Sequence, residues 1–257
     1  MCIILFAYNA HPKYNLILLA NRDEYYARQT SRAALWEDAP DILGGRDLEH
    51  GGTWLGVTKQ GRVAAVTNFR DPSSNRNGAP SRGFLVSDFL RSIEDPHDYL
   101  MKISSRSADY NGFNLIVGDP SGLYYLSNRL GGVANLAPGI YGLSNHLIDT
   151  PWPKVVKGKQ SFREIIDEGR EVAPAALLKI LADGFPADDA ALPKTGISLE
   201  YERALSSIFI HTPEYGTRSS TILLIATNGE TTFVERTFKT AERSTDVTFE
   251  FRSNNDF

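Results

Sequence analysis

An α+β fold is predicted, and three observations predict it. Apolar runs of strand length and stretches of 3.6-residue periodicity follow one another in the order strands, helix pair, strands, helix pair, strands. Turn residues separate neighbouring apolar runs, as antiparallel hairpins require. The two loop-rich stretches, Asp71 to Arg82 and Ala187 to Ile197, are only about a dozen residues each, a length that suits loops within a domain, so residues 1–257 read as one domain. Periodicity by itself admits two sheets covered by helices or one large sheet.

The elements follow in order. Ile3 to Ala7 is a continuous apolar run suited to a strand covered on both faces. Asn9 to Asn15 has turn chemistry and Leu16 to Ala20 is a second apolar run, so a hairpin with a loop of roughly five to seven residues is expected. Tyr25 to Arg32 is polar and aromatic, and Ile42-Leu43-Gly44-Gly45-Arg46-Asp47 reads as a surface turn. Gly51 to Thr58, the turn Lys59-Gln60-Gly61 and Arg62 to Asn68 read as a hairpin, with glycines beside Trp54 that permit close approach of a ligand or of another strand. Ser81 caps a helix whose Phe84, Leu85, Phe89, Leu90 and Ile93 share a face, and Asp95-Pro96 starts a second with Tyr99, Leu100 and Ile103. Strands are expected at Phe113 to Val117, Leu123 to Leu126 and Ile140 to Asn145. Helical patterns return at Trp152 to Gly169 and Pro174 to Asp183, before the strands Ser220 to Ala226, Thr232 to Phe238 and Val247 to Phe251.

Composition excludes several classes. With 42% hydrophobic and 23% charged residues the chain is ordinary globular material, and a net charge of -4 argues against a sequence-independent grip on nucleic acid. No run approaches the roughly 20 apolar residues of a membrane span, and the first segment lacks the features of a secretory signal. A single cysteine suits a reducing compartment, and a cytoplasmic location is expected. The five histidines show no metal-ligand spacing, no nucleotide-binding glycine loop is present, and neither metal nor cofactor is expected.

The chemistry centres on Cys2. Removal of Met1 would leave this cysteine at the terminus, where a free α-amine titrating at roughly 7.7 to 8.0 serves as its own base. Antiparallel pairing of the first two apolar runs brings Asn21-Arg22-Asp23-Glu24 back beside it, and such a cluster at the end of a buried strand costs desolvation unless it pairs or reacts. Asn68 and Asn145, each ending a strand, offer side-chain amides for an oxyanion, while Arg22 or Arg218 is expected to lower the thiol pKa. Plainer roles stand beside these: a small buried hydrophobe for Cys2, turn capping for the two asparagines, a loop ion pair for Arg218 and a structural role for Glu24.

On Asn21-Arg22-Asp23-Glu24, and on the blocks Gly51 to Gly56, Ala64 to Asn68, Tyr110 to Ile116, Tyr141 to Asn145 with Pro151-Trp152, and Tyr215 to Arg218, the sequence resembles the NRDE family of transport and Golgi organisation protein 2-like proteins. The blocks keep the family's order over nearly the whole chain. The resemblance implies a four-layer αββα sandwich of two antiparallel sheets flanked by helices, similar to N-terminal-nucleophile hydrolases, and a role in lipid, acyl-coenzyme A or haem handling. By similarity to cysteine-type amidases of that fold, such as bile-salt hydrolases and penicillin V acylase, Cys2, Arg22, Asp23, Asn145 and Arg218 are the expected catalytic residues. Asn21, Glu24, Trp54, Asn68 and Tyr215 are the expected substrate contacts. In those amidases the Arg and Asp lie farther apart. Here Arg22 and Asp23 are adjacent and point to opposite faces of a regular strand, so at most one of them faces Cys2 unless the strand has ended. Two functions follow as expectations: a hydrolase of an acyl amide or thioester, or a carrier of an acyl-type ligand or of non-covalently held haem.

Overall fold

The computed structural model describes residues 2–169, 171–240 and 243–252. The strands of the first half are β1 (Cys2–His11), β2 (Tyr14–Tyr25), β3 (Thr30–Trp36), β4 (Ala39–Asp47), β5 (Leu55–Thr58) and β6 (Val63–Asn68). Helices α1 (Gly83–Arg91) and α2 (Pro96–Ser105) precede β7 (Phe113–Asp119), β8 (Gly122–Ser127), β9 (Val133–Asn135) and β10 (Gly139–Leu143). Then come α3 (Pro153–Asp167), α4 (Pro174–Leu181) and α5 (Leu199–Ala204), followed by β11 (Tyr215–Ala226), β12 (Glu230–Thr240) and β13 (Arg243–Arg252). They form two antiparallel sheets with helices packed on them, in two compact units: Met1–Ala27 with Pro138–Phe251, and Arg28–Ala137 with Arg252–Phe257.

The first unit holds a six-stranded sheet ordered β10-β1-β2-β11-β12-β13. Alternation along its central strands turns Ile3, Leu5, Ile17, Leu19, Ile222 and Leu224 to one side, where they meet Phe162 and Ile166 of α3 and Leu177 and Leu181 of α4. Each such fully buried side chain contributes about 1.5–3 kcal/mol. Pro153 and Pro174 start α3 and α4 at positions whose N–H has no helical partner in any case. Gly158 lets α3 settle on the sheet, since a Cβ there would lie 2.7 Å from Leu5 Cδ1. The expected hairpin of β1 and β2 forms with a shorter turn than expected: pairing runs from Cys2↔Arg22 to His11↔Tyr14. An irregularity between Tyr8 and His11, with Asn9 at a φ of 44°, carries the strand through polar residues that read as a turn.

In the second unit a seven-stranded sheet runs β3 to β9 in sequence order. Ile42, Val66, Leu115 and Val117 pack against Leu85, Phe89 and Leu90 of α1 and Leu100 and Ile103 of α2. Asp95 caps α2 by accepting the N–H groups of His97 and Asp98. The stretch Ile42 to Asp47, read from sequence as a surface turn, is the buried body of β4. Its glycines are packing residues: a Cβ on Gly44 would lie 2.7 Å from Leu55 O, and one on Gly45 would strike the Trp54 ring. Gly52 likewise abuts the Gly83 main chain. Ile93, expected on the buried face of the first helix, lies beyond its end and is fully exposed. No helix among the described residues is long and apolar enough to cross a membrane.

Candidate active site

Register assembles the site. Cys2 lies opposite Arg22 in the β1–β2 ladder, and Arg22 lies opposite Ser219 of β11. Residues directly opposite one another share a face, so Cys2, Arg22 and Ser219 form a row on the side of the sheet turned away from α3 and α4. On the other edge of β1, the last pair is Ile4↔Leu143. Asn145 follows two residues beyond the end of β10 at Leu143. The Ser144 hydroxyl secures this arrangement, lying 3.0 Å from the Cys2 carbonyl oxygen and 3.3 Å from Asn145 Oδ1 and sharing its single proton between them. Asn145 is completely buried and Arg22 nearly so.

The rest of the tetrapeptide divides by parity. Arg22 and Glu24 share a side, with Arg22 Nη2 3.8 Å from Glu24 Oε2, while Glu24 Oε1 accepts the Tyr25 N–H. The strand does not end before Asp23, and the Asp23 side chain turns to the helix-bearing side. There Oδ1 accepts the Thr217 hydroxyl at 2.7 Å, and the Tyr215 hydroxyl donates to the Asp23 carbonyl oxygen at 2.8 Å. Asn21 also faces the helices. Both of its amide protons are used, on the carbonyl oxygens of Leu181 and Ile208 at 2.9 Å each, and its Oδ1 accepts from Ser220 Oγ at 2.6 Å. Expected among the substrate contacts, Asn21 instead ties β2 to α4 and to the approach to β11, because its place in the alternation is that of Leu19.

Arg218 occupies a bulge: β11 shifts register between Thr217 and Ser219, leaving Arg218 as the extra residue. Its guanidinium donates to the carbonyl oxygens of Tyr25 and Tyr26 and lies over the Tyr26 ring at 5.8 Å. Those bonds hold it on the segment that leaves β2. Trp54 and Asn68 belong to the second unit, where Trp54 covers Gly45 and Asn68 closes β6 opposite Phe113.

The electrostatics correct one expectation. Cys2 keeps part of its surface in solvent, yet burial of its sulfur pushes the thiol up from its ordinary value. The Asp23 charge pushes the same way, whereas the Asp23 main-chain N–H and the Arg22 guanidinium pull it down. The thiol expected to be held low is therefore held high, because lost hydration outweighs the nearby guanidinium. Burial also pushes the Asp23 carboxyl up, against the downward pull of Lys154, the Thr217 hydroxyl and Arg22.

Sequence reasoning missed Ser144, Thr217 and Lys154. The first two stand inside the blocks Tyr141 to Asn145 and Tyr215 to Arg218, and their roles depend on register. Lys154 carried a readable signal, since it continues the apolar stripe Gly158, Phe162 and Ile166 at four-residue spacing toward the start of α3. The spacing argument against metal sites also passed over Asp95, His97 and Asp98, an exposed cluster at the start of α2. Helix capping by Asp95 accounts for its geometry.

A family model described as Transport and Golgi organisation 2 matches residues 1–240. The Transport and Golgi organization protein 2 homolog of Bos taurus is 42% identical, covering 98% of this chain and 99% of its own. The Homo sapiens homolog is 40% identical over 92% of each. Among solved structures, a Caenorhabditis elegans N-acylethanolamine-hydrolyzing acid amidase ortholog aligns with 87% of this chain and 92% of its own, at a TM-score of 0.50 and 11% identity. That likeness is one of fold, the N-terminal-nucleophile hydrolase type with its two antiparallel sheets. With a family model spanning nearly its whole length and relatives at 42% and 40% identity, the chain belongs to the Transport and Golgi organisation 2 family.

Proposed function

We propose that this protein is an N-terminal-cysteine hydrolase that cleaves an amide or thioester bond of an acyl-type small molecule, with Cys2 as nucleophile. The observation that carries the reading is Cys2 opposite Arg22 in the β1–β2 ladder, with the Ser144 hydroxyl reaching both the Cys2 carbonyl oxygen and Asn145 Oδ1. With Met1 removed, the α-amine of Cys2 takes the thiol proton as sulfur attacks the carbonyl carbon. The C–N or C–S bond of the substrate breaks, the leaving group receives that proton, and a thioester on Cys2 remains. Water then hydrolyses the thioester, releasing the carboxylic acid and restoring the thiol. Asn145 brings a side-chain amide of the kind that donates to a developing oxyanion. Met1 lies outside the described residues, so its removal is part of the proposal.

The test joins intact mass of the protein from its native host with turnover on a panel of acyl amides and acyl thioesters. Cys2→Ala is expected to abolish turnover while ligand affinity stays within a few-fold. A mass matching the full 257-residue chain sinks the self-activated nucleophile.

A second reading is a carrier on the same scaffold, holding an acyl-coenzyme A, a lipid or haem. The upward shift of the Cys2 thiol favours it. It requires Arg22→Ala to weaken an anionic ligand by roughly 1.5 to 3 kcal/mol, with Cys2→Ala mattering only where sulfur touches the ligand. Nucleic acid is no part of either reading, and the cytoplasm is the proposed location.

A further inference from the structure

We propose that Asp149 is a positioning residue for the Cys2 site: it closes the turn that carries Ser144 and Asn145 onto the edge strand β10, and Lys159 of α3 holds the closure shut. The inference rests on the reading of Cys2 as the reacting group. Gly142 stands opposite Leu5 in the β1–β10 ladder, and β10 is the last strand on that side of the sheet. In an antiparallel ladder the N–H and C=O of one residue point the same way, and those of Gly142 both look away from β1. Asp149 takes both. Its Oδ1 accepts the Gly142 N–H at 2.8 Å, and its own main-chain N–H donates to the Gly142 carbonyl oxygen at 2.7 Å. The segment from Gly142 to Asp149 is thereby tied at both ends, with Ser144 and Asn145 inside it.

The geometry fits Asp149 to this task. Its φ of 58° lies in the left-handed region, which Asp and Asn tolerate better than other residues that carry a side chain. Lys159 Nζ lies 2.6 Å from the same Oδ1, so one carboxylate oxygen receives both an ammonium and a main-chain N–H. The lysine stem reaches it across Gly142, where a Cβ would lie 3.0 Å from Lys159 Cδ and 2.7 Å from Val155 Cγ1. From the closed turn the contact passes to the main chain of the nucleophile, since the Ser144 hydroxyl lies 3.0 Å from the Cys2 carbonyl oxygen. On that side of β1 the ladder begins only at Ile4, so Ser144 holds Cys2 where strand pairing does not. Opening the turn frees Ser144, and with it the Cys2 carbonyl. Covering the outward groups of an edge strand would need no link to Cys2, and the experiment separates that plainer role from positioning.

The experiment is the rate of Cys2 alkylation by iodoacetamide in the full chain under native conditions. Asp149→Gly keeps the left-handed backbone and removes the acceptor, Asp149→Asn keeps an Oδ1 acceptor on that backbone, and Ser144→Ala removes the hold on Cys2. Asp149→Gly is expected to speed alkylation about tenfold, the order of one lost hydrogen bond to a charged group. Asp149→Asn falls between wild type and Asp149→Gly, and the double variant Asp149→Gly with Ser144→Ala is no faster than the faster single variant, because both act through one contact. A double variant accelerated by the product of the two single effects, or an Asp149→Asn rate equal to that of Asp149→Gly, overturns the proposal. So does a lowered melting temperature with an unchanged Cys2 rate, the signature of edge covering alone. Where Asp149→Gly does not fold, Lys159→Met carries the test: hydrogen exchange at the Gly142 amide and alkylation at Cys2 should quicken together, and any other pattern overturns the proposal. Neither readout involves turnover, so its failure is separate from failure of the hydrolase reading, which the acyl panel decides.

Discussion

Asn21→Ala should cost the first unit about 3 kcal/mol, because three hydrogen bonds converge on one buried amide. The side chain donates to Leu181 O and Ile208 O at 2.9 Å each and accepts from Ser220 Oγ at 2.6 Å, at a position only 1% exposed. A net contribution of about 1 kcal/mol per bond gives that figure. Stranding two carbonyl oxygens and a hydroxyl without water raises the upper bound to about 5 kcal/mol. Asn21→Asp should cost more than Asn21→Ala, since it sets a carboxylate against two carbonyl oxygens. The assay is urea unfolding followed by far-ultraviolet circular dichroism and by fluorescence, with an unchanged denaturant slope to show that the midpoint shift is one of stability. A loss below about 1 kcal/mol for Asn21→Ala would refute the account of this residue as the tie between β2, α4 and the approach to β11.

The same structure makes three further predictions. Gly216→Ala should destabilise by about 1–3 kcal/mol, because the new Cβ would lie 2.6 Å from Ile210 O and crowd the Tyr26 hydroxyl; a wild-type melting curve contradicts it. Cys2 alkylation should have a midpoint above the free-thiol value of about 8.5, as burial pushes the thiol up, and a midpoint below that value refutes the burial argument. Asp23 has a raised folded pKa, so its stabilising contribution is full below the unfolded value of 3.8 and is lost as pH rises through the folded value. Asp23→Asn should therefore remove part of the fall in unfolding free energy between acid and neutral pH, and parallel wild-type and variant profiles would contradict the assignment.

By itself the sequence determined the α+β class, the pairing of the first two strands, the helices α1 to α4, the start of α2 at Asp95-Pro96 and the family, because each rests on local periodicity, turn chemistry or motif order. It also determined that Cys2 and the tetrapeptide at Asn21 to Glu24 would meet, since antiparallel pairing of two adjacent apolar runs leaves little other choice. Only tertiary structure decided which members of that tetrapeptide face the cysteine. A strand alternates sides, and the side is named only when the helices have chosen one: α3 and α4 took Leu19, Asn21 and Asp23, leaving Arg22 in the row with Cys2. The strand β4 was hidden for a related reason, because Gly44 and Gly45 carry the local signal of a turn while Leu55 and Trp54, distant neighbours in the chain, require their smallness. The thiol pKa could not be read from Arg22 alone, since burial is supplied by every group around the sulfur and in this site outweighs the nearby guanidinium.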